Sequence, residues 1–455
     1  MKPFCAVLLA VLCGCATYRP KPLDQAAVAK ILAPPDLTSI RIKAGEIRHP
    51  ILKPRVIDFR RGISPQDAAV IAVIANPAIR AERDRRGIAR AQLLQAGILP
   101  NPTFGYSLDV PTGGSDEGTV NGYGLGLDWN IRSILTRGAR VEAARANSAR
   151  VDLDVAWDEW QVAESAKRHV YRLLYLEREL KTALREDAGL RRNLEAVRKA
   201  VDMGDMTIIE LDAADAAERK IHASVLVIRQ KLEQERLALN RVLGFPPGSR
   251  IPLAPGIKAP SLKNLPSLRE IMNGIEGRRL DLLALRMGYQ SKEASLRAAV
   301  RAQFPGIDIG ITHARDTTNV VTTGFSISIS LPFFDRNQGR IAIEKAGRRE
   351  LYDDYLDRVY QARADAAGIL ADIRSVEKQT DAAKKAVRTL EELVKTSRRG
   401  FLEGNIDVLS YYAAVDRLFS RRLEVLKLQQ ELAGLHVALE ITAGEFLPAG
   451  KEVQG

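Results

Sequence analysis

The sequence predicts a mainly helical chain with a minority of strand, built as two copies of a helix–strand–strand–long helix–helix unit. Three observations lead there: landmarks that recur roughly 200 residues apart, four short segments of strict alternation, and apolar seams too long for a globular core. Pro102 returns as Pro305, Gly138 as Gly339 and Gly204 as Gly404. Such offsets far exceed a solenoid repeat, so duplication of a whole hairpin-bearing unit is the simpler account.

At the start of the chain, Lys2 precedes the apolar run Phe4 to Leu12, and all three cysteines, Cys5, Cys13 and Cys15, fall in the first fifteen residues. This pattern is a secretory signal, too short to span a bilayer as a helix. The order Leu12, Cys13, Gly14, Cys15 resembles a bacterial lipobox, which implies a signal peptide over residues 1–14 and diacylglycerol on Cys15. An ordinary signal peptide that merely contains cysteines is the competing reading. Cleavage before Cys15 leaves one cysteine, which excludes disulfides and cysteine-ligated metal from the mature chain. Ala16 follows, not the Asp that resembles an inner-membrane retention signal, so outer-membrane sorting is expected.

Residues 15–63 are rich in Pro and charge ("YRPKPLDQ", "LAPPDL", "ILKPRVIDF") and read as an extended lipid-anchored tether, with the ordered fold starting near Ser64. The first repeat, residues 64–243, has a helix from Pro65 to Gly97, strands at about 102–110 and 120–131, and helices at about 138–201 and 207–243. A Pro-rich linker covers 244–266. The second repeat, 267–448, has a helix at about 280–302, strands at about 305–313 and 321–333, and helices at about 339–399 and 407–445. Residues 449–455 form a tail.

Each strand separates two kinds of side chain. Phe104, Tyr106 and Leu108, then Tyr123, Leu125, Leu127 and Trp129, then Ile307, Ile309 and Ile311, then Phe325, Ile327, Ile329 and Leu331 make apolar faces. Opposite them lie glycines and the polar residues Asp109, Asp128, Asn130, Asp308, Ser326, Ser328 and Ser330. An ordinary antiparallel sheet packed on helices would alternate in this way. Two features point to a bilayer instead: strand lengths near the nine to eleven residues that cross one when tilted, and aromatics toward the strand ends. Four strands cannot close a barrel and lipid tolerates no open edge, so membrane-spanning strands would require several chains to share one barrel.

The helices carry seams. Leu173, Leu176, Leu180, Ala183, Leu190, Leu194, Val197 and Val201 alternate spacings of three and four, with Asp187 the one break. From Gly138 to Val201 a continuous helix would reach about 95 Å. A coiled-coil scaffold would also be long, but Ala-rich flanks ("VEAARANSARV", "QARADAAGILADI") suit neighbours on both sides, as in the wall of a tube. Each long pair reverses at a glycine, Gly204 in "VDMGDMTIIELDAA" and Gly404 in "FLEGNIDVLSYYAA".

The formal charge of +12 is spread along helices and read as solvated faces, and aromatics at 5% give no basic–aromatic patch, so nucleic acid is not an expected partner. The five histidines show no metal-ligand spacing with one another, and no P-loop, nucleophile elbow or HExxH occurs. "GYGLGLDW" lacks the glycine spacing and following helix of a phosphate loop. No catalytic residue, cofactor or metal is expected.

The lipobox, the duplicated unit, "LPFFDRNQGRI" at a strand-to-helix junction and the glycine-centred turns together resemble the TolC-like outer-membrane efflux factors, and "PFFDRNQG" is similar to the heavy-metal branch. The resemblance spans Ser64 to Pro448. It implies a homotrimer whose strands close a twelve-stranded barrel in the outer membrane of a Gram-negative bacterium, continued by an α-helical barrel in the periplasm. The function implied is a passive exit duct of a tripartite efflux or type I secretion system, fed by an inner-membrane pump, preferably of the RND type, through a periplasmic adaptor. Gly204, Met206, Gly404 and Asn405 would then mark the adaptor-docking tips. Members narrow that end with acidic residues about six and nine positions after the tip glycine. Here those places hold Glu210 and Ala213, then Ser410 and Ala413, which leaves Glu210 and Asp212 as remnants of a gate. Tyr411 and Tyr412 either constrict the gate or pack between helices. A lipid-anchored periplasmic adaptor with coiled-coil hairpins is the alternative, though it would carry a lipoyl-like domain and compact β-barrels. An outer-membrane lipoprotein enzyme has no residue constellation to support it. Metal ions, drugs and dyes all remain open as cargo.

Overall fold

The structure, a computed structural model, describes residues 17–114, 117–260 and 265–447. Cys15 lies outside the described residues. The segment expected to be an extended tether instead forms α1 (Gln25–Leu32) and α2 (Leu37–Gly45). Asp24 and Asp36 cap them, and Pro34 and Pro35 separate them. Beyond α1 the segment is not a tether: Ile40, Ala44, Leu52 and Ile57 are buried. His49 pins it to the body, its Nε2–H donating to the Ala156 carbonyl at 2.9 Å while Nδ1 accepts from the Ile51 and Leu52 amides. Burial lowers the His49 pKa, which favours this neutral form.

The expected helix from Pro65 to Gly97 is two helices, α3 (Pro65–Ala75) and α4 (Pro77–Gly97). Pro77 disfavours helical backbone at Asn76, which is extended and caps α4 through its Oδ1. Asn76 Nδ2 donates to the Val242 carbonyl at 2.8 Å, so the break doubles as a tertiary contact. Then come β1 (Thr103–Asp109), β2 (Gly122–Asn130), α5 (Arg132–Asp202) and α6 (Ile208–Leu243). The second copy holds α7 (Leu268–Met272), α8 (Ile275–Arg278), α9 (Leu280–Arg301), β3 (Ile307–Arg315), β4 (Val321–Ile329), α10 (Gln338–Leu402) and α11 (Val408–Ala443).

The strands join in one antiparallel sheet of order β1-β2-β3-β4, so each repeat contributes one hairpin. β4 stops at Ile329, short of the expected Phe333: Ser330 N still bonds the Gly306 carbonyl, but Pro332 has no amide to donate and Phe333 N turns back to Leu331. α5 has 71 residues, about 105 Å at 1.5 Å per residue, and α10 has 65. Along α5 the seam residues Leu173, Leu176, Ala183, Asp187, Leu190 and Val197 are all buried. Asp187 therefore occupies a core position and does not point away from it.

α11 returns against α5 through a buried charge cluster, in which Lys167 Nζ bonds Glu164 at 3.1 Å and also bonds Glu440. Burial pushes the Glu164 carboxyl up to about 8.

Candidate functional site

The ladder register settles which strand residues share a face. Asp128, Gly310 and Ser326 form one row across β2, β3 and β4, and Asn130, Asp308 and Ser328 form the next. Asp109 opposes Gly122 on the same face, and Ser330 stands over Gly306 at its end. All seven polar residues singled out from sequence thus lie on one surface. Asn130 Nδ2 donates to Asp308 Oδ1 at 2.7 Å, and a Cβ on Gly310 would collide with Asp128 Oδ1, so glycine is what lets the aspartate lean across the row. No Lys or Arg belongs to this face within the four strands.

The opposite face is apolar and unburied: Phe104, Tyr106, Leu127, Ile311, Phe325, Ile327 and Ile329 are all exposed, Phe325 by 67%. An apolar sheet this open is unusual for a chain surrounded by water. The outer edges of β1 and β4 have no partner strand among the described residues. At one end His313 Nδ1 lies 2.8 Å from Thr323 Oγ1, and Arg315 stacks over Tyr123. At the other, Trp129 donates to the Pro100 carbonyl.

Far along the chain from the sheet, the two tip turns are near copies. Gly204 (φ 81°) and Gly404 (φ 76°) take the left-handed conformation that glycine tolerates. In the first, Gly204 N bonds the Val201 carbonyl and Asp205 N the Ala200 carbonyl; in the second, Gly404 N bonds Phe401 and Asn405 N bonds Gly400. Thr207 and Glu210 then form a capping box for α6. Asp407 caps α11, accepting from the Ser410 amide and hydroxyl. These bonds to its charged form hold the Asp407 carboxyl below the usual carboxylate range. Met203, Ile208, Ile209, Leu402 and Leu409 are exposed around the turns.

Of the four gate candidates, Glu210 is tied into its cap and Asp212 is exposed. Tyr411 and Tyr412 are buried between helices, the arrangement of the second of the two readings given for them. Tyr411 stacks on Phe401 with centroids 5.7 Å apart, and Tyr412 Oη bonds Asn193 on α5. They hold the hairpins together. The sequence reading did not connect Asp187 with His222, which meet across the α5–α6 hairpin with Arg191 and Glu218. The only linear signal was the polar break in the seam.

One two-faced sheet built from two hairpins, each continued by a rod-length helical pair, defines a class. The model of the outer membrane efflux protein family matches residues 70–245 and 272–445, and the chain belongs to that family. The cation efflux system protein CusC of Escherichia coli O157:H7 is 23% identical over 242 residues, 51% of this chain and 52% of CusC, so the chain spans about half the length of that relative in the match. The cobalt-zinc-cadmium resistance protein CzcC of Cupriavidus metallidurans is 21% identical over 347 residues, 73% of this chain and 78% of CzcC. A solved structure of CusC superposes with a TM-score of 0.71 at 17% identity, covering 88% of this chain and 98% of that one. The fold is therefore that of TolC-like channel proteins. No described helix is long and apolar enough to cross a membrane, which leaves the sheet to be considered on its own terms.

Proposed function

We propose that the chain is the outer-membrane channel component of a tripartite efflux system, a passive duct that receives cargo from an inner-membrane pump through a periplasmic adaptor. The observation that supports this most is the sheet: one face polar, the other apolar and exposed, both edges unpaired. In lipid such edges must be closed, and even the smallest bacterial barrels need about eight strands. Copies of the chain must then pool their strands, and three copies give the twelve-stranded barrel that the family implies. Lipid on Cys15 would hold the chain to the same membrane.

We infer divalent metal cations as cargo. Asp109, Asp128 and Asp308 supply three carboxylates per chain to the polar face, without a basic residue beside them on the strands, which favours cations in a lumen. The names of CusC and CzcC point the same way. The exposed apolar residues at the two tips suit docking of the adaptor.

The test is the mass of the purified protein in detergent, followed by conductance in planar bilayers. A trimer with cation-selective conductance is expected, and Asp128→Asn with Asp308→Asn should lower cation over anion selectivity. A monomer without conductance would remove the duct reading, and a trimeric channel with unchanged selectivity would remove the cation one.

A further inference from the structure

The break in the α5 seam has a structural counterpart. Asp187 is 6% exposed, between the core residues Ala183 and Leu190, where a carboxylate is costly unless it is neutralised. Two pairs spaced i, i+4 face each other there, Asp187 with Arg191 on α5 and Glu218 with His222 on α6. His222 Nδ1 lies 3.3 Å from Asp187 Oδ1. Arg191 Nε lies 3.2 Å from Asp187 Oδ2 and 2.9 Å from Glu218 Oε1, and its Nη2 donates to His222 Nδ1 at 2.7 Å. One ligand atom each from Asp187, Glu218 and His222 falls within 4.8 Å of the others.

The guanidinium occupies the centre of a set of metal ligands. The lone pair on His222 Nδ1 that accepts from Arg191 is the one an imidazole uses to bind a metal. One positive charge between two carboxylates leaves a formal negative charge over, whereas a dication neutralises both. Arg191 is anchored only through its own side chain and is half exposed, so it can swing into solvent without moving either helix. Imidazole plus two carboxylates, with a position open to water, suits zinc and its first-row neighbours.

We propose that Asp187, Glu218 and His222 bind a divalent transition cation in exchange for the Arg191 side chain, cross-linking α5 to α6. The inference does not depend on what the channel carries. Zinc is the probe: full-length protein in detergent, stripped with chelator, is titrated by calorimetry and equilibrium dialysis. One zinc per chain is expected. Arg191→Gln should tighten binding about tenfold by removing the competing cation, and His222→Ala or Asp187→Asn should weaken it about tenfold or more. His169→Gln, on the same hairpin but paired with Glu235, should leave binding unchanged. Cobalt(II) loaded into Arg191→Gln should show the visible bands of a low-coordinate site, and His222→Ala should abolish them. Circular dichroism confirms that each variant keeps its helices. Zinc binding that ignores His222, or an Arg191→Gln protein that binds none, overturns the proposal.

Discussion

α5 and α10 hold the same place in the two repeats, yet they live in different surroundings. α5 is wrapped by α3, α4, α6, α9 and α11 of its own chain and buries Trp157, Trp160, Val170 and Tyr175, together with the charges Glu159, Glu164, Lys167, Glu179 and Asp187. α10 packs on α7, α9 and α11 and leaves Ile343, Tyr352, Leu356 and Tyr360 in the open. Duplication reproduced the element but not its neighbours. The copy inside the chain became a core, where buried charges had to find partners, while the other kept a free apolar flank. Tyr352, Leu356 and Tyr360 recur every four residues, so they form one ridge along that flank, where the trimer proposed above would seat its next chain.

The contrast can be broken most decisively on α10. Leu356→Glu with Tyr360→Glu should reduce the assembly to monomers in detergent, read by multi-angle light scattering, with helix content unchanged; a persisting trimer would mean that the flank is not an interface. Trp160→Ala on α5 should do the reverse, leaving the subunit stoichiometry but lowering the stability of each subunit by about 3–5 kcal/mol, measured by denaturant titration. Trp160 is fully buried and packs edge-on against Phe446 at 4.9 Å.

The buried Glu164 of α5 gives the stability of the chain a pH dependence. Glu164 ionises near 8 in the folded chain, against an ordinary value of 4.5, because of burial. Its folded form therefore holds a proton that the unfolded form has lost. The resulting stability is complete below about 4.5 and is lost as pH rises through about 8. The melting temperature should fall across that window, and Glu164→Gln should flatten the fall; an unchanged slope assigns it to other groups.

At the tips the repeats differ by compensating choices. Where the first turn has Ala200 and Met206, the second has Gly400 and Ile406, and a Cβ on Gly400 would meet Ile406 Cδ1 at 2.8 Å. The branched side chain requires the missing Cβ. Gly400→Ala should destabilise by about 1–2 kcal/mol, and Ile406→Met in the same chain should recover most of it, a coupling that a double-mutant cycle reads directly. The smallest effect concerns the caps. The first turn pairs a Thr207 hydroxyl with a Glu210 carboxylate, and the second exchanges the roles, with the carboxylate on Asp407 and the hydroxyl on Ser410. Thr207→Ala should cost about 1 kcal/mol, whereas Thr207→Asp with Glu210→Ser should cost much less, seen in amide exchange at the start of α6. The Asp407 cap should hold above the ordinary carboxylate value and open as pH falls through its lowered one.

Much of the fold was legible because its signals are local. The alternation in Phe325, Ile327 and Ile329 against Ser326 and Ser328 follows from the two-residue period of a strand, so the face of each residue could be assigned without knowing its neighbours. The seam of α5 and the glycines at the tips were legible for the same reason, and the tip turns came out as near copies. Misreadings arose where local cues allowed two outcomes. Proline density at residues 20–54 fits a tether, but it fits equally a segment broken into short helices whose Ile40 and Ile57 reach a core. Asn76–Pro77 left the helical periodicity intact on both sides and still broke the helix.

By itself, then, the sequence determined the inventory: two copies of a unit, four two-faced strands, two rods and the seam along the first, two reversals at glycine, and through them the family. The tertiary structure decided which rod became the core and which kept an open flank. It placed Tyr411 and Tyr412 inside the bundle and brought His222 to Asp187 across 35 residues. Periodicity specifies which face a side chain takes on its own element. What that face meets depends on how the elements pack.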